Sequence, residues 1–255
     1  MRFRILFLFI ICSAIVNAQN NNSNIQVEYQ LFNNTDLPST LFATLHISNN
    51  ISIYQEKYST KQRWTERTSK LEEKNVLRGK NTFDPYLKMD HSKKEILFYD
   101  LLFADAVLVK DNYIDMVWSI SHETKYIANI QCIKAITTYR GRQWIAWFSP
   151  EISVSSGPWK LHGLPGLILE AYDETNMYTI KALKIKYVKS DVFNKEFEEL
   201  ISRENKKILS YKELFEYREE GMVNLRKEIG QKRDMTVTGE KMPYSGKELK
   251  YEWEN

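Results

Sequence analysis

The sequence predicts a mainly β protein, in which a curved antiparallel meander sheet resembling half a barrel is flanked by amphipathic C-terminal helices. Apolar and polar residues alternate along many short segments, and this period of two is typical of half-buried strands. Short turns separate most of these segments, which favours hairpins over parallel crossovers. In the last third of the chain, apolar residues recur every three or four positions, and this spacing predicts helix.

The chain begins with the pattern of a secretory signal peptide, residues 1–18. Arg2 and Arg4 precede an apolar run that ends in small residues at Ala18. The run is shorter than the roughly 18–20 apolar residues that a membrane-spanning helix needs. We therefore expect cleavage after Ala18 and a secreted or periplasmic mature protein without a membrane span. A lipoprotein anchored at Cys12 is the alternative, but the residues before Cys12 lack the small side chains of such a processing site.

The composition of the mature protein limits the classes of partner that we expect it to bind. The signal removes two of the 36 basic residues and none of the 33 acidic ones, which leaves a formal charge of +1. Nucleic acid and anionic membrane surfaces require a larger or clustered positive charge, so neither is expected as a partner. Cys132 is the one cysteine outside the signal, which excludes an intramolecular disulfide.

The mature chain divides by composition into four parts. A polar leader over 19–24 precedes the antiparallel β domain, 25–189, which contains a highly charged insertion at about 55–94. Helical spacing covers 190–229, and a polar tail that we expect to be poorly ordered follows over 230–255. The apolar stripe of the helices is expected to cover the sheet, with docking of a partner as the alternative.

Individual strands and one hairpin can be placed. Alternation is clearest over 25–31 and 41–47, and it returns over 114–120. β-branched and aromatic residues flank Gly141 and Arg142, which predicts a hairpin centred on these two residues.

One motif resembles a known family. Residues 163–168 spell a glycine- and proline-bounded hexapeptide that follows an aromatic block at 144–148 and a Gly-Pro dipeptide at 157–158. The hexapeptide consists of Gly163, Leu164, Pro165, Gly166, Leu167 and Ile168. With these features, and with Cys132 upstream, the chain resembles the GLPGLI family of exported proteins typical of Bacteroidetes over roughly 25–187.

The resemblance implies an envelope or secreted location and no established activity, so no catalytic or binding residue is transferred from it. The chain also departs from the family at its end. It finishes on Trp253, Glu254 and Asn255, where many relatives have an apolar motif containing Asn-Pro.

The hexapeptide also has a physical interpretation. Pro165 fixes φ and Gly166 permits positive φ, so residues 164–167 fit a type II turn. This turn would lead directly into a buried strand beginning at Leu167, which makes the motif a folding element. The alternative is that it forms the lip of a ligand site. The sequence does not decide whether the Leu164–Pro165 bond is cis or trans.

Aromatic residues are the candidate ligand contacts. Trp118, Trp144, Trp147, Phe148 and Trp159 fall within about forty residues. If Trp144 and Phe148 face one side of a strand, Trp147 must face the other. One side is core, and the other either packs under the helices or lines an apolar groove.

Candidates for catalysis and metal binding are weak. Cys132 with His122 or His162 as its base is one hypothesis, but apolar neighbours favour a buried, unreactive cysteine. His46, His91, His122 and His162 lack the spacing that directs two imidazoles at one metal. We therefore predict no metal and no cofactor.

The sequence thus predicts an exported envelope protein that binds an apolar ligand, lipid or peptide in the concave face of its sheet without catalysis. An interaction module of an outer-membrane transport or surface complex is the alternative. A hydrolase that uses Cys132 or an unrecognised pair of acidic residues is the third hypothesis.

Overall fold

The structure is a computed structural model, and it describes residues 24–57, 86–102, 105–189, 195, 197–199, 208–233 and 246–254. The predicted signal peptide, nearly all of the polar leader and the centre of the charged insertion lie outside these residues.

Twelve strands form a single sheet within the described residues. They are β1 (Asn24–Asn33), β2 (Ser39–Ser48), β3 (Ile51–Lys57), β4 (Tyr86–Asp90), β5 (Glu95–Leu102), β6 (Asp105–Asn112), β7 (Ser119–Ile127), β8 (Ile130–Tyr139), β9 (Arg142–Ser149), β10 (Leu167–Asp173), β11 (Tyr178–Val188) and β12 (Leu209–Ser210).

The strand order is β12-β6-β5-β4-β3-β2-β1-β11-β10-β9-β8-β7. Strands β1 to β6 form one meander and β7 to β11 form another, and antiparallel pairing of β1 with β11 joins them. All pairings are antiparallel except that of β12 with β6, which is parallel. The predicted antiparallel meander sheet is therefore confirmed.

The connection from β6 to β7 requires strong curvature. These strands lie ten inter-strand spacings apart in the sheet order, about 48 Å if the sheet were flat. The six connecting residues, 113–118, reach at most about 24 Å. The sheet must therefore curl until its two ends approach each other, which confirms the predicted curved architecture.

The register places a continuous row of apolar side chains on the inner face of this curved sheet, because directly paired residues share a face. All of the following inner-face residues are buried: Val27, Tyr29, Leu45, Tyr54, Leu87, Met89, Ile96, Phe98, Val109, Ala135, Trp144, Ala146, Phe148, Ala171 and Ile180.

The predicted helical region is present in part. Helix α1 spans Tyr211–Arg233 and begins at a capping box, in which Ser210 and Glu213 each accept from the other's backbone N–H, at 3.2 and 2.7 Å. Tyr211 at its start packs edge-on against the inner-face Phe98, with ring centroids 5.1 Å apart. Farther upstream, Phe197 is buried beside Tyr99, at a centroid distance of 6.5 Å. No described helix is long and apolar enough to cross a membrane.

Two predicted boundaries are wrong. The charged insertion is shorter than predicted, because β3 continues to Lys57 and β4 forms at Tyr86–Asp90. The sequence did not indicate β4 because the segment around it is highly charged. In the structure, the outward side chain of Lys88 on β4 pairs with Glu198. The strand predicted over 114–120 is irregular up to residue 118, where the chain crosses between the sheet ends.

The described part of the C-terminal tail differs from the prediction of a poorly ordered segment. Residues 246–254 pack on the molecule and end in a short 3-10 turn, Glu252–Glu254, and both Glu248 and Tyr251 are buried. Polar composition suggested a solvated tail, but its carboxylates bind buried cations.

Candidate functional site

The site is built around the turn between β8 and β9. Arg140 and Gly141 both have positive φ, 46° and 78°, as the two central residues of a type I′ turn require. The predicted hairpin is therefore confirmed, with its turn one residue earlier than expected.

Arg140 is the centre of a buried ion cluster. Its NH1 and NH2 groups donate to both carboxylate oxygens of Asp111 at 2.8 and 2.7 Å. NH1 also donates to Glu248 at 2.7 Å, and Nε and NH2 donate to Glu252 at 2.9 and 3.0 Å. The side chains of Arg140 and Asp111 are 1% and 0% exposed, so this arginine is fully desolvated.

Lys160 completes the cluster from the connection between β9 and β10. Its Nζ donates to Asp111 at 2.5 Å and to Glu248 at 2.8 Å. The same Nζ lies 4.5 Å from the ring centroid of Tyr211 and 5.1 Å from that of Phe98. The Tyr211 hydroxyl donates to Glu248 at 2.8 Å, so both oxygens of this carboxylate are bonded.

Electrostatics keeps these groups charged. Burial alone would raise the pKa of Asp111, but Lys160 and Arg140 outweigh it and the pKa is lowered. Burial likewise acts to lower the pKa of Arg140, and its carboxylate partners reverse this and raise it. Burial and the adjacent Glu248 raise the pKa of Tyr211, so its hydroxyl stays protonated as a donor.

The segment that supplies two of the carboxylates is residues 246–254, which we name the C-terminal strap. The backbone amides of Leu249 and Lys250 both donate to the carbonyl of Arg140, at 2.8 and 3.0 Å. A Cβ on Gly141 would lie 3.1 Å from the Cβ of Lys250, so glycine permits this close crossing. The strap thus lies directly on the β8–β9 turn.

The start of the strap is attached by polar contacts. Arg142 donates to the carbonyl of Gly246 at 2.6 Å, and Lys247 pairs with Glu56 of β3 at 2.8 Å. Lys247 Nζ also lies 5.7 Å from the ring centroid of Trp159. The strap therefore links the two meanders and passes next to Trp159.

Three buried polar atoms on the inner face of the same hairpin have no hydrogen-bond partner among the described residues. They are the hydroxyl of Tyr139, Nε of Arg142 and Nε1 of Trp144. Tyr139 is paired directly with Arg142, and Trp144 is the next inner-face residue along β9. Buried polar groups are nearly always paired, so three such atoms together mark a place where a polar ligand group or a bound water fits.

The five predicted aromatic residues do not all share one face. Trp144 and Phe148 lie on the inner face, and the Trp144 ring centroid is 5.5 Å from that of Trp159. Trp147 lies on the opposite face, with Lys125 Nζ 4.3 Å above its ring. The register therefore agrees with the prediction that Trp144 and Phe148 face one side of the sheet and Trp147 faces the other.

Trp118 lies apart from this cluster. Its Nε1 donates to the carbonyl of His162 at 2.8 Å. The ring of His162 is 5.7 Å from that of His91, and His91 Nδ1 is 2.9 Å from the hydroxyl of Tyr113. Burial lowers the pKa of His91 to about 4, so it is neutral at ordinary pH. The sequence separates these histidines by 71 positions and gave no sign that they meet.

Neither a metal centre nor a reactive cysteine emerges from the geometry. In the part of the chain that the structure describes, no group of three or more His, Cys, Asp or Glu is placed to hold a metal. Cys132 is fully buried, and burial raises the pKa of its thiol to about 11. A nucleophilic cysteine needs the opposite shift.

A sequence comparison matches a family model to the β8–β9 turn, β9 and the hexapeptide. A family model described as "Protein of unknown function (Porph_ging)" matches residues 138–170. A search of curated proteins finds no match.

Solved structures with a similar fold are distant in sequence. PNGF-II, in its C2 crystal form, is 15% identical with a TM-score of 0.52, over 75% of this chain and 32% of that chain. An uncharacterized conserved protein from Thermus thermophilus is 11% identical with a TM-score of 0.39, over 75% and 91% of the two chains. A LolA superfamily protein from Nitrosomonas europaea is 7% identical with a TM-score of 0.30, over 68% and 90%.

The chain therefore spans about a third of PNGF-II and shares a fold with that part. The other two likenesses are too distant to support an argument about function.

Proposed function

We propose that this protein is an exported envelope protein that binds an apolar ligand, a lipid or a peptide on the inner face of its sheet and catalyses no reaction. The N-terminal signal pattern supports the location. The binding proposal depends on the inner face of the β8–β9 hairpin.

One observation carries the proposal. Beside the packed indole rings of Trp144 and Trp159, the hydroxyl of Tyr139, Nε of Arg142 and Nε1 of Trp144 are buried without a protein partner in the described chain. Apolar walls with a few converging polar atoms are typical of sites for small ligands. Two of these atoms, Arg142 Nε and Trp144 Nε1, are donors only, which favours a ligand that carries hydrogen-bond acceptors next to its apolar part.

Access to this face runs past the C-terminal strap. Ion pairs, hydrogen bonds and ring contacts hold the strap on the hairpin, and no covalent bond does. Its displacement would uncover Trp159 and the neighbouring hairpin without breaking a strand pairing. The binding face is thus reachable by a local change.

A titration with cis-parinaric acid, a fluorescent acyl chain with a carboxylate head, tests the proposal. We expect saturable binding with one site per chain. Replacing Trp144 by phenylalanine keeps the ring but removes Nε1, so the affinity should fall roughly fivefold, the loss expected for one hydrogen bond. Trp147→Phe removes an indole from the opposite face and serves as the matched control, with unchanged affinity.

Absence of saturable binding by the wild type, or an equal effect of both substitutions, would contradict a site on the inner face. Mass spectrometry of solvent extracts of the purified protein provides the independent check, because a resident ligand should appear in stoichiometric amount.

A second candidate function has its own observation. Strand β7 is a sheet edge, and large apolar side chains are exposed on or next to it, with Val117 87%, Ile120 50% and Tyr126 72% exposed. An unpaired apolar edge can accept a strand from a partner, as expected of an interaction module. A protein that acts only through β7 would not bind the acyl chain.

A further inference from the structure

We infer that the recess around Arg140 and Lys160 is a recognition site for an acidic peptide segment of a partner protein, and that the C-terminal strap occupies this site as an internal substitute. This inference rests on the proposed function and narrows its ligand to a peptide with carboxylate and aromatic side chains.

The strap is bound through its main chain as well as through its side chains. Two consecutive main-chain amides, those of Leu249 and Lys250, donate to one carbonyl of the hairpin turn. These main-chain contacts fix the position of the strap on the turn, and its side chains provide the specificity. Here the specific side chains are Glu248 and Glu252, four residues apart, which approach Arg140 through different nitrogens.

The geometry of Arg140 suits two carboxylates at once. Glu252 receives Nε and NH2 as a parallel pair of hydrogen bonds, and Glu248 receives NH1 together with Lys160. Such forked contacts are specific for planar anions and are stronger than neutral hydrogen bonds. The recess is therefore built to recognise carboxylates.

Charge explains why another occupant must also be acidic. The sheet and the β9–β10 connection contribute two cations, Arg140 and Lys160, and one carboxylate, Asp111. Without the carboxylates of the strap, these three residues carry a net charge of +1, and any occupant that covers them as the strap does would bury that charge. An apolar occupant would leave that charge unpaired, which is strongly unfavourable.

The aromatic rings of the strap indicate a second property that a partner peptide needs. Tyr251 and Trp253 of the strap stack with centroids 4.6 Å apart and an interplanar angle of 8°. Tyr251 packs against Phe215 and Tyr211 of α1 at 4.7 and 5.5 Å. The first two turns of α1 are thus a platform for aromatic side chains next to the carboxylate recess.

The outer part of this contact is open to exchange. The side chain of Glu252 is 38% exposed, whereas that of Glu248 is 6% exposed. A competing segment can therefore replace Glu252 first, at the solvent side of Arg140, and then reach the buried position.

Fluorescence anisotropy with a labelled peptide of residues 246–255 tests the inference. The protein is the full chain carrying Glu248→Gln and Glu252→Gln, which weakens the strap and keeps the recess. We expect this variant to bind the peptide about tenfold more tightly than the wild type, because charged hydrogen bonds of the internal competitor are lost. The same peptide with glutamine at both positions should bind at least about tenfold more weakly.

The matched control is the full chain with Glu216→Gln and Glu220→Gln, two exposed carboxylates on α1, and it should behave as the wild type. A folded double variant that does not bind the peptide, or that binds both peptides equally, overturns the inference. A double variant that instead exchanges straps between two copies, seen as a dimer by light scattering, overturns the assignment to a partner protein.

If the double variant does not fold, hydrogen exchange of the wild type gives the answer. Excess peptide should displace the strap and speed exchange of the Leu249 and Lys250 amides, and unchanged exchange overturns the inference. Saturable binding of cis-parinaric acid without peptide binding would remove this inference alone and leave the proposed function standing.

Discussion

At the scale of single residues, the most consequential feature is the burial of Arg140, Lys160 and Asp111 in mutual contact. Each is expensive to bury alone, and each is tolerated because its partners supply the opposite charge and satisfy its donors or acceptors. The sequence contains all three but places them up to 49 positions apart. Nothing in their local patterns distinguishes them from the many solvated charges.

Replacing Asp111 by asparagine should destabilise the fold strongly. The substitution removes the carboxylate to which both Arg140 and Lys160 donate, so buried cationic donors lose their charged acceptor, and breaking such a cluster typically costs about 3–5 kcal/mol. Urea denaturation at pH 7 measures this loss in the free energy of unfolding. Asp115→Asn is the control, because the ion pair of Asp115 with Lys94 is largely exposed and little change is expected.

The same carboxylate should make stability depend on pH. The pKa of Asp111 is lower in the folded state than its ordinary value, so the unfolded chain binds its proton first as the pH falls. The stabilisation is present above about pH 4, the unfolded value, and is lost as the pH falls toward the folded value. Between pH 6 and pH 3, the free energy of unfolding should fall less steeply for Asp111→Asn than for the wild type. Urea denaturation at each pH measures it, and parallel decreases in the two proteins would exclude this role.

At the scale of elements, the hexapeptide corner determines how β9 passes to β10. The predicted type II turn is wrong, because Gly166 does not have positive φ. Instead its N–H donates to the carbonyl of Leu164 at 2.8 Å, a three-residue turn centred on Pro165. Glycine is required because a Cβ at Gly166 would lie 2.1 Å from the carbonyl oxygen of Ser149. The predicted buried strand from Leu167 is confirmed.

Gly166→Ala should therefore destabilise the fold through a steric clash between two backbone segments. The end of β9 must move to admit a methyl group, and we expect a loss of about 3 kcal/mol. Chemical denaturation measures it.

The control separates a clash from backbone strain. Gly246 has a φ of 133°, and a Cβ there meets nothing within 4 Å, so Gly246→Ala introduces strain alone and should cost less. Equal losses at the two glycines would show that close packing is not what the corner requires.

At the scale of the whole molecule, the two meanders act as one unit because three non-covalent connections join them, in addition to the chain crossing at residues 113–118. These are the pairing of β1 with β11, the shared inner-face core, and the ion cluster with its strap. The curvature of the sheet makes the last two connections possible, since it brings β6 opposite the β8–β9 turn.

Unfolding is accordingly expected to be a single cooperative transition. Five of the six tryptophans, all except Trp64, lie between residues 118 and 253, so the fluorescence of a Trp64→Phe variant reports the second half of the chain. Far-UV circular dichroism reports the strands of both meanders. The two signals should give the same urea midpoint, and separate midpoints would mean that the meanders are independently stable.

Local patterns in the sequence specify the strands, turns and helix of this protein. Alternation around residues 25–31 and 41–47, turn chemistry at Gly141 and the apolar run after Pro165 each depend on neighbours a few positions away. A period of two or 3.6 assigns a side chain to a face whatever the rest of the chain does. The antiparallel sheet, its hairpins and the C-terminal helix followed from such patterns.

Which residues form the site depends on the three-dimensional fold and not on any local pattern. The meeting of Asp111, Arg140, Lys160 and Glu248 depends on the curl accumulated over twelve strands, and small twists at each pairing sum to that curl. No local pattern encodes that sum. The C-terminal strap is a second example. Its polar composition indicates solvent exposure, and only the fold reveals that buried cations bind its carboxylates.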